Sequence, residues 1–473
     1  MELRPYQIQS VEQLRDAMKK HKHVVLCLPT GAGKSVIFSE LVRLTAHKSK
    51  RVLVLTHRIE LFTSTFRHLE NRGIVPEVIS PQHPNPNPFS LVIVAMVETL
   101  QKRIKRGLQL YPDLLIIDEA HFGNFTKIIE AFPESYIIGV TATPVGKHFH
   151  KHYTKIVSNA DIPYLVENKF LMPCRCYQME DDLSDVKVTS MGEYENDSLF
   201  NHYNKKTLYD GVVYQWVNLV PNKKTLVFNV NIAHTIAMSD AFNAKGIDSR
   251  YVTSLTPAKE REQILADFKN GLFPVLNNCG ILTTGYDEPS IEAIIMNRAT
   301  LSLPLWLQCQ GRGSRPFGNK THFTVIDFGL NVDQHGLWDA HRVWSLKPPR
   351  KKKLSEAMPI KTCKQCRAVL HTKISICPYC GYEFEQKEKE LTDGIPVLKT
   401  SGYAPEKISA ASLEKIVSLQ QSGRLKSGYV WRVVRSRGIT EVEKYAKLIG
   451  YKSGWVWRQK SLMGDCKFRD QII

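Results

Sequence analysis

Apolar residues in this chain gather into short, nearly continuous runs set apart by longer amphipathic stretches. In the first third the runs lie at 24–28, 51–56, 91–97, 114–117 and 136–140. Runs this short, without polar alternation, predict strands buried on both faces, as in a parallel sheet covered by helices. The stretches at 9–20 and 36–44 instead place apolar residues at helical spacing. The alternation returns later, with strands expected at 225–228, 275–282 and 324–328 and helices at 199–220, 229–241 and 258–268. Pro221 stops the first of these helices. The fold class expected is α/β, with two tandem parallel-sheet domains at 1–160 and 161–346. Residues 163–173 read as the crossing between them, 180–197 as an acidic surface excursion, and the proline-rich 81–88 as an exposed loop. A small cysteine-bearing module at 347–390 and a helical, basic, aromatic tail at 391–473 follow.

A length of 473 residues with 43% apolar content suits roughly two to four domains with real cores. The formal net charge of +18 predicts a polyanionic partner, nucleic acid before others. The opening residues lack the basic-then-apolar pattern of a signal peptide, and no stretch nears the roughly 18 apolar residues of a membrane span. A cytoplasmic protein with no membrane partner is expected.

The 24–28 run leads into Leu28-Pro29-Thr30-Gly31-Ala32-Gly33-Lys34-Ser35 and then a helical stretch. A glycine-bearing turn there aims backbone N–H groups and a helix N-terminus at one point, which suits a polyphosphate. Lys34 would meet the β- and γ-phosphates and Ser35 the Mg²⁺. Leu28 stands where the strict P-loop pattern has glycine. Upstream, Arg4 and Gln7 of Arg4-Pro5-Tyr6-Gln7 are suited to stack on and hydrogen-bond an adenine. The run 114–117 ends in Asp118-Glu119-Ala120-His121, with Asp118 placed to hold Mg²⁺ and Glu119 to orient and deprotonate an attacking water. The run 136–140 ends in Thr141-Ala142-Thr143-Pro144, whose hydroxyls are candidates to bond the acidic motif and report phosphate state, with His121, Thr141 and Thr143 the expected coupling residues. Polar residues after the 51–56 and 91–97 strands, namely His57, Arg58 and Thr99, fall on the ligand edge of such a sheet.

Taken in order, these pieces resemble the superfamily-2 nucleic-acid helicases with a DEAH-type acidic box. Residues 4–7 resemble the adenine motif, 29–35 motif I, 57–61 motif Ia, 118–121 motif II and 141–144 motif III. Further on, 229–241 resembles motif IV and 283–287, Thr-Thr-Gly-Tyr-Asp, motif V. There the resemblance implies that Thr284 meets a nucleic-acid phosphate and that Asp287 couples this contact to the nucleotide. Gln308-Cys-Gln-Gly-Arg312-Gly-Ser-Arg315 matches motif VI. Arg312 and Arg315, three residues apart, are expected on one face of a helical turn and in reach of a γ-phosphate held by the opposite domain. The resemblance implies two RecA-like domains that close on ATP and grip a strand by its phosphates at His57, Arg58, Thr99 and Thr284, without reading bases. Trp338 and Trp344 are expected to pack the end of the second domain.

Cys363, Cys366, Cys377 and Cys380 form two C-x-x-C knuckles with ten residues between them. Four thiolates at this spacing predict a structural Zn²⁺ in a zinc ribbon. DNA, a partner protein and the motor itself are all open as its contact. The last 73 residues carry 14 Lys and Arg against 6 Asp and Glu, and Lys-Ser-Gly-Tyr-Val-Trp-Arg at 426–432 returns as Lys-Ser-Gly-Trp-Val-Trp-Arg at 452–458. Trp431 and Trp457 are expected to pack and Arg432 and Arg458 to meet phosphate. The segments 3–7, 28–35, 282–287 and 310–315, with a cysteine ribbon after them, resemble the RadD-type repair helicases of bacteria and phages. That implies work on single-stranded, forked or branched DNA in repair, recombination or replication. An RNA helicase, a restriction-type translocase and an ATP-gated scaffold that binds without unwinding stay open.

Overall fold

In a computed structural model, the described residues are 2–57, 59–83, 86–122, 125–145, 149–347, 360–384, 412–421, 427–451 and 456. The early apolar runs become β1 (His23–Cys27), β2 (Val52–Thr56), β4 (Val92–Met96), β5 (Leu114–Asp118) and β6 (Tyr136–Thr141). Two short edge strands, β3 (Glu77–Ile79) and β7 (Lys155–Val157), complete an all-parallel sheet of order β3-β4-β2-β5-β6-β1-β7. Every residue of β2 and β5 is buried, as uninterrupted apolar runs between helical layers require.

A second all-parallel sheet, of order β10-β11-β9-β12-β13-β8, comprises β8 (Cys174–Gln178), β9 (Thr225–Asn229), β10 (Ser249–Val252), β11 (Val275–Asn278), β12 (Ala293–Asn297) and β13 (Phe323–Asp327). Both sheets belong to one compact unit, 1–386, and 387–473 form another. In the second unit the helices Leu413–Gln421, Ser427–Ser436 and Ile439–Ile449 pack through Leu413, Ile416, Val430, Val434, Val442 and Tyr445, with Trp431 against the same cluster. Residues 452–455 and 457–473 lie outside the described residues, and with them Trp457. Among the described residues, no helix is long and apolar enough to cross a membrane.

Three expectations need correction. The first helix runs Pro5–Met18 rather than 9–20, because Pro5 occupies its first turn, where a missing N–H costs nothing. The span 199–220 is two helices, Asn196–Tyr203 and Lys206–Leu219. Tyr203 is held by its hydroxyl on the Phe328 carbonyl (3.0 Å) and by stacking on His234, while the next helix buries Val212, Val213 and Trp216. One straight rod cannot meet both demands. The strand expected at 275–282 stops at Asn278, whose amide turns aside to the Val227 carbonyl at 2.8 Å.

Among the described residues, the chain passes between the sheets twice. The segment after β7 carries the helix Ile162–Glu167 and Leu171 into β8. After β13 the chain buries Trp338 edge-on against Phe323 of the second sheet, then lays Trp344 and Leu346 on the first sheet's core. His341 binds Asp161 at 2.6 Å along this return. The cysteine module, with β14 (Ile360–Thr362) antiparallel to β15 (Val369–His371), rests on β8. The Tyr379 hydroxyl donates to the Cys174 carbonyl at 3.0 Å, Arg175 lies over the Tyr379 ring, and Val369 joins the core beside Cys174 and Cys176. Of its three open contacts, the motor is therefore one.

Candidate nucleotide site between the two sheets

β1 delivers Leu28 into a loop whose two glycines take the left-handed region, φ +86 at Gly31 and +73 at Gly33. Gly33 precedes the helix Lys34–Ala46, and a Cβ there would stand 2.6 Å from Gln7 Nε2. That amide donates to the Ala32 carbonyl at 3.2 Å, the Tyr6 hydroxyl donates to the same oxygen at 2.8 Å, and Gln7 Oε1 accepts the Arg4 N–H at 3.0 Å. Gln7 and Tyr6 brace the loop from behind. Tyr6 had no role in the sequence reading, although it stands inside the tetrapeptide that drew attention. Arg4 is exposed, with its guanidinium 5.1 Å from the centre of the Phe170 ring. Lys34 is buried and donates to the carbonyls of Leu28 and Pro29 at 3.3 and 3.4 Å. Ser35 follows it in the helix's first turn.

The carboxyl ends of β5 and β6 stand beside this loop. Asp118 is buried and its Oδ1 accepts the Glu119 N–H at 2.9 Å. Burial and the adjoining Glu119 carboxylate push Asp118 up to about 7, with Lys34 opposing them. Glu119 has φ +48, a strained value for a residue with a side chain, of the sort that concentrates at functional sites. Its Oε2 is buried and accepts no hydrogen bond among the described residues, with His121 Nδ1 3.3 Å away. His121 joins the parts: Nδ1 lies 2.8 Å from Thr141 Oγ1, and Nε2 lies 3.2 Å from the Gln308 amide of the second sheet. Burial holds this histidine down near 4, so it is neutral, accepting from Gln308 at Nε2 and donating to Thr141 from Nδ1. Thr141 Oγ1 also accepts the Thr143 N–H at 3.0 Å.

The second sheet reaches the loop closely. A Cβ on Gly311 would stand 2.6 Å from Thr30 Cβ and Cγ2, and one on Gly31 would stand 3.0 Å from Leu171 and 3.3 Å from Ser314 Oγ. The helix Leu303–Gln310 ends before Arg312, so both arginines stand on the turn after it and not on a helical face. Arg312 Nε and Nη2 donate to the Thr283 carbonyl (3.1 and 2.7 Å) and Nη1 to that of Tyr286 (2.5 Å). Burial and Arg315 pull Arg312 down to about 9, while Glu119 across the cleft supports its charge. Arg315 pairs with Asp287. The helix is held at its start by a residue the sequence placed in a surface excursion: the Glu193 carboxylate accepts Thr300 Oγ1 and the Leu301 N–H, both at 2.8 Å.

The remaining expected residues lie elsewhere. Thr284 is buried with its hydroxyl unpartnered among the described residues. With Asp287, Arg67, His68 and Arg261 it lines a cleft of 710 Å³ between the helices Ile59–Glu70 and Ala258–Lys269. His57 follows β2, its ring 4.8 Å from that of Phe125, and Thr99 is half-buried in the helix Val97–Lys105 after β4. Arg58, Arg458 and the Arg432 side chain lie outside the described residues.

In the ribbon, Cys363 and Cys380 sulfurs are 3.6 Å apart, as are those of Cys366 and Cys377, and all four lie within 4.8 Å of one another. A tetrahedral Zn–S₄ site with bonds of about 2.3 Å has sulfur separations of roughly 3.8 Å, so this donor set fits zinc.

Residues 1–146 match the family model "Type III restriction enzyme, res subunit" and 208–316 match "Helicase conserved C-terminal domain". Over 371 residues the chain is 30% identical to a 51.5 kDa protein of a Lactococcus phage, covering 76% of this chain and 78% of that one. It is 32% identical over 357 residues to IRC3 of Saccharomyces cerevisiae, provisionally named an ATP-dependent helicase, covering 69% of this chain and 51% of that one. The chain thus spans about half the length of the yeast relative. Among solved structures, an ATP-dependent type ISP restriction-modification enzyme, LlaBIII, bound to DNA, superposes with a TM-score of 0.51 at 16% identity, over 69% of this chain and 28% of that one. At that identity the likeness concerns the fold, two tandem RecA-like domains.

Proposed function

We propose, for a chain that belongs to the superfamily-2 helicases and is an ATP-dependent helicase or translocase, that its track is DNA in single-stranded, forked or branched form, met during repair, recombination or replication. One observation carries the motor chemistry: the Lys34 loop and the Asp118-Glu119-His121 end of β5 face Gln308 and Gly311 across a single cleft. In this reading Arg4 and Gln7 flank the adenine and residues 29–35 cradle the phosphates. Lys34 neutralises the β- and γ-phosphates, and Ser35 and Asp118 hold Mg²⁺, which supplies further charge neutralisation. Glu119 takes the proton of the attacking water at its unengaged Oε2, and Arg312 and Arg315 stabilise charge on the transferred group when the cleft is shut. His121, Thr141 and Thr143 report phosphate state to Gln308, and Asp287 links the arginine turn to Thr284.

His57, Thr99 and Thr284, with Arg58, Arg432 and Arg458, supply phosphate contacts, and binding is accordingly steep in salt. Four cysteines hold the Zn²⁺ that folds the ribbon. We assign 1–160 and 161–346 to the motor domains, 347–390 to ribbon and linker and 391–473 to the tail, whose helices and ribbon face are the surfaces for protein partners. The setting proposed is the cytoplasm of a bacterial or phage-infected cell. DNA over RNA is supported by the restriction-enzyme matches and by the RadD-type resemblance. Those matches also favour a second reading, translocation on DNA without unwinding. ATP turnover with single-stranded, duplex, forked and four-way DNA and with single-stranded RNA, run beside strand displacement, tests both. Greatest stimulation by single-stranded or branched DNA is expected. Stimulation by RNA as strong or stronger overturns the choice of DNA, and turnover without displacement selects translocation.

A further inference from the structure

The turn 311–315 and the loop 283–291 of the second domain are joined by cations. Arg312 reaches from the turn to the carbonyls of Thr283 and Tyr286. The other side of the turn is held by Lys320, which belongs to none of the sequence motifs. The chain leaves Arg315 through Pro316-Phe317-Gly318-Asn319 and folds back, with Gly318 at φ +48 and the Lys320 N–H donating to the Phe317 carbonyl at 3.0 Å. This reversal sends the Lys320 side chain beneath the turn it has just left. Its ammonium there meets four backbone carbonyls: Gly313 at 2.6 Å and Arg315 at 3.0 Å on the turn, Pro289 at 3.2 Å and Ile291 at 2.5 Å on the loop. An ammonium has three N–H donors, so four acceptors leave every one of them engaged. Burial opposes the charge and draws this lysine down to about 8, with Glu292 and Glu288 supporting the charge and Arg315 opposing it.

We propose that Lys320 is a positioning residue for ATP turnover, which by binding turn and loop together fixes where Gly311, Arg312 and Arg315 stand against the first sheet. The inference rests on the reading above that Arg312 and Arg315 serve the nucleotide. Gly311 and Ser314 of this turn lie against Thr30 and Gly31, so movement of the turn is transmitted to the phosphate loop without slack. A displacement near 1 Å at such a site costs roughly 10²-fold in rate.

The test compares Lys320→Met, Lys320→Arg and Glu292→Gln by kcat of nucleic-acid-stimulated hydrolysis, by affinity for a fluorescent ADP analogue, and by the pH profile of kcat. Lys320→Met is expected to lower kcat by about tenfold or more while nucleotide affinity holds within about threefold, and Lys320→Arg to restore part of the rate. A folded Lys320→Met enzyme that hydrolyses at the wild-type rate overturns the proposal. Should that variant fail to fold, Glu292→Gln decides. The groups facing the ammonium are Glu292, Glu288 and Arg315, and Lys223, Lys224 and His322 line the same cleft. Removing the Glu292 charge lowers the lysine's pKa and moves the alkaline limb of kcat to lower pH; a limb that stays in place refutes the role. Arg312→Gln and Arg315→Gln are measured alongside. If both turn over normally, the arginine assignment has failed; if both are inactive while Lys320→Met is normal, only the lysine inference has.

Discussion

Gly311 offers a direct probe of whether the two sheets meet during turnover as they do here. Its backbone is right-handed helical, φ −58 and ψ −16, a conformation alanine adopts with ease. Gly311→Ala therefore adds no backbone strain, and its effect is confined to what the new methyl meets. It would stand 2.6 Å from Thr30 Cβ and Cγ2, whereas ordinary contact begins at 3.4 Å, a shortfall of 3.4 − 2.6 = 0.8 Å. Thr30 lies in the phosphate loop, so turn and loop must part by about that much. A misplacement near 1 Å costs roughly 10²-fold, equivalent to about 2.7 kcal/mol of barrier. The expected outcome is a kcat down by about 10²-fold, nucleotide binding to the first domain little changed, and a thermal midpoint at or slightly above wild type. Stimulated ATPase, analogue binding and thermal melting read the three quantities. Turnover within about threefold of wild type would show that the cleft works without this contact and would refute the reasoning.

Lys34→Ala and Glu119→Gln are each expected to abolish stimulated hydrolysis; near-normal turnover in either would displace the site from this loop and strand end. Chelation or Cys377→Ser is expected to unfold the ribbon. Because Tyr379 and Val369 pack on β8, it should also open the buried Cys174 and Cys176 thiols to alkylation, and an unchanged thiol count would show that the ribbon stands without metal. Burial holds His234 near 4, below its ordinary 6.5, so the unfolded chain takes the proton first as pH falls. Its contribution to stability is complete above about 6.5 and is lost progressively toward about 4. His234→Gln should accordingly flatten the dependence of the thermal midpoint on pH between about 7 and about 5, and an unaltered slope would exclude it as a source.

The central strands were legible because burial on both faces leaves them nearly all apolar, as at 114–117. The edge strands Glu77–Ile79 and Lys155–Val157 have three residues each, too few for any period to show. Ser249–Val252 exposes Tyr251 at a sheet edge and reads as polar chain. Ala293–Asn297 carries an apolar signal as clear as its neighbours and went unread between two motifs. Lys34, Asp118 and Glu119 were visible because their side-chain chemistry is fixed by spacing from a strand end, and Gln308 because it opens the Gln-x-x-Gly-Arg-x-x-Arg pattern. Glu193 and Lys320 were not, since part or all of what they bind is backbone N–H or carbonyl, and backbone atoms leave no mark in a sequence. The same blindness hid Gln7's engagement with Ala32. Its Nε2 donates to the loop carbonyl while its Oε1 accepts the Arg4 N–H.

The return of the chain after β13, with Trp338 in one sheet's core and Trp344 on the other's, bears on how this motor can move. A body hung on one tether swivels about any axis through it. Two tethers among the described residues, the segment before β8 and this return, leave the sheets fewer axes than one would, as a second hinge does for a door. A joint restrained in this way favours the return of Gly311 to Thr30. Repeatable alignment of this kind lets a loose event such as product release be followed by a tightly registered one, with no need for the domains to search for each other.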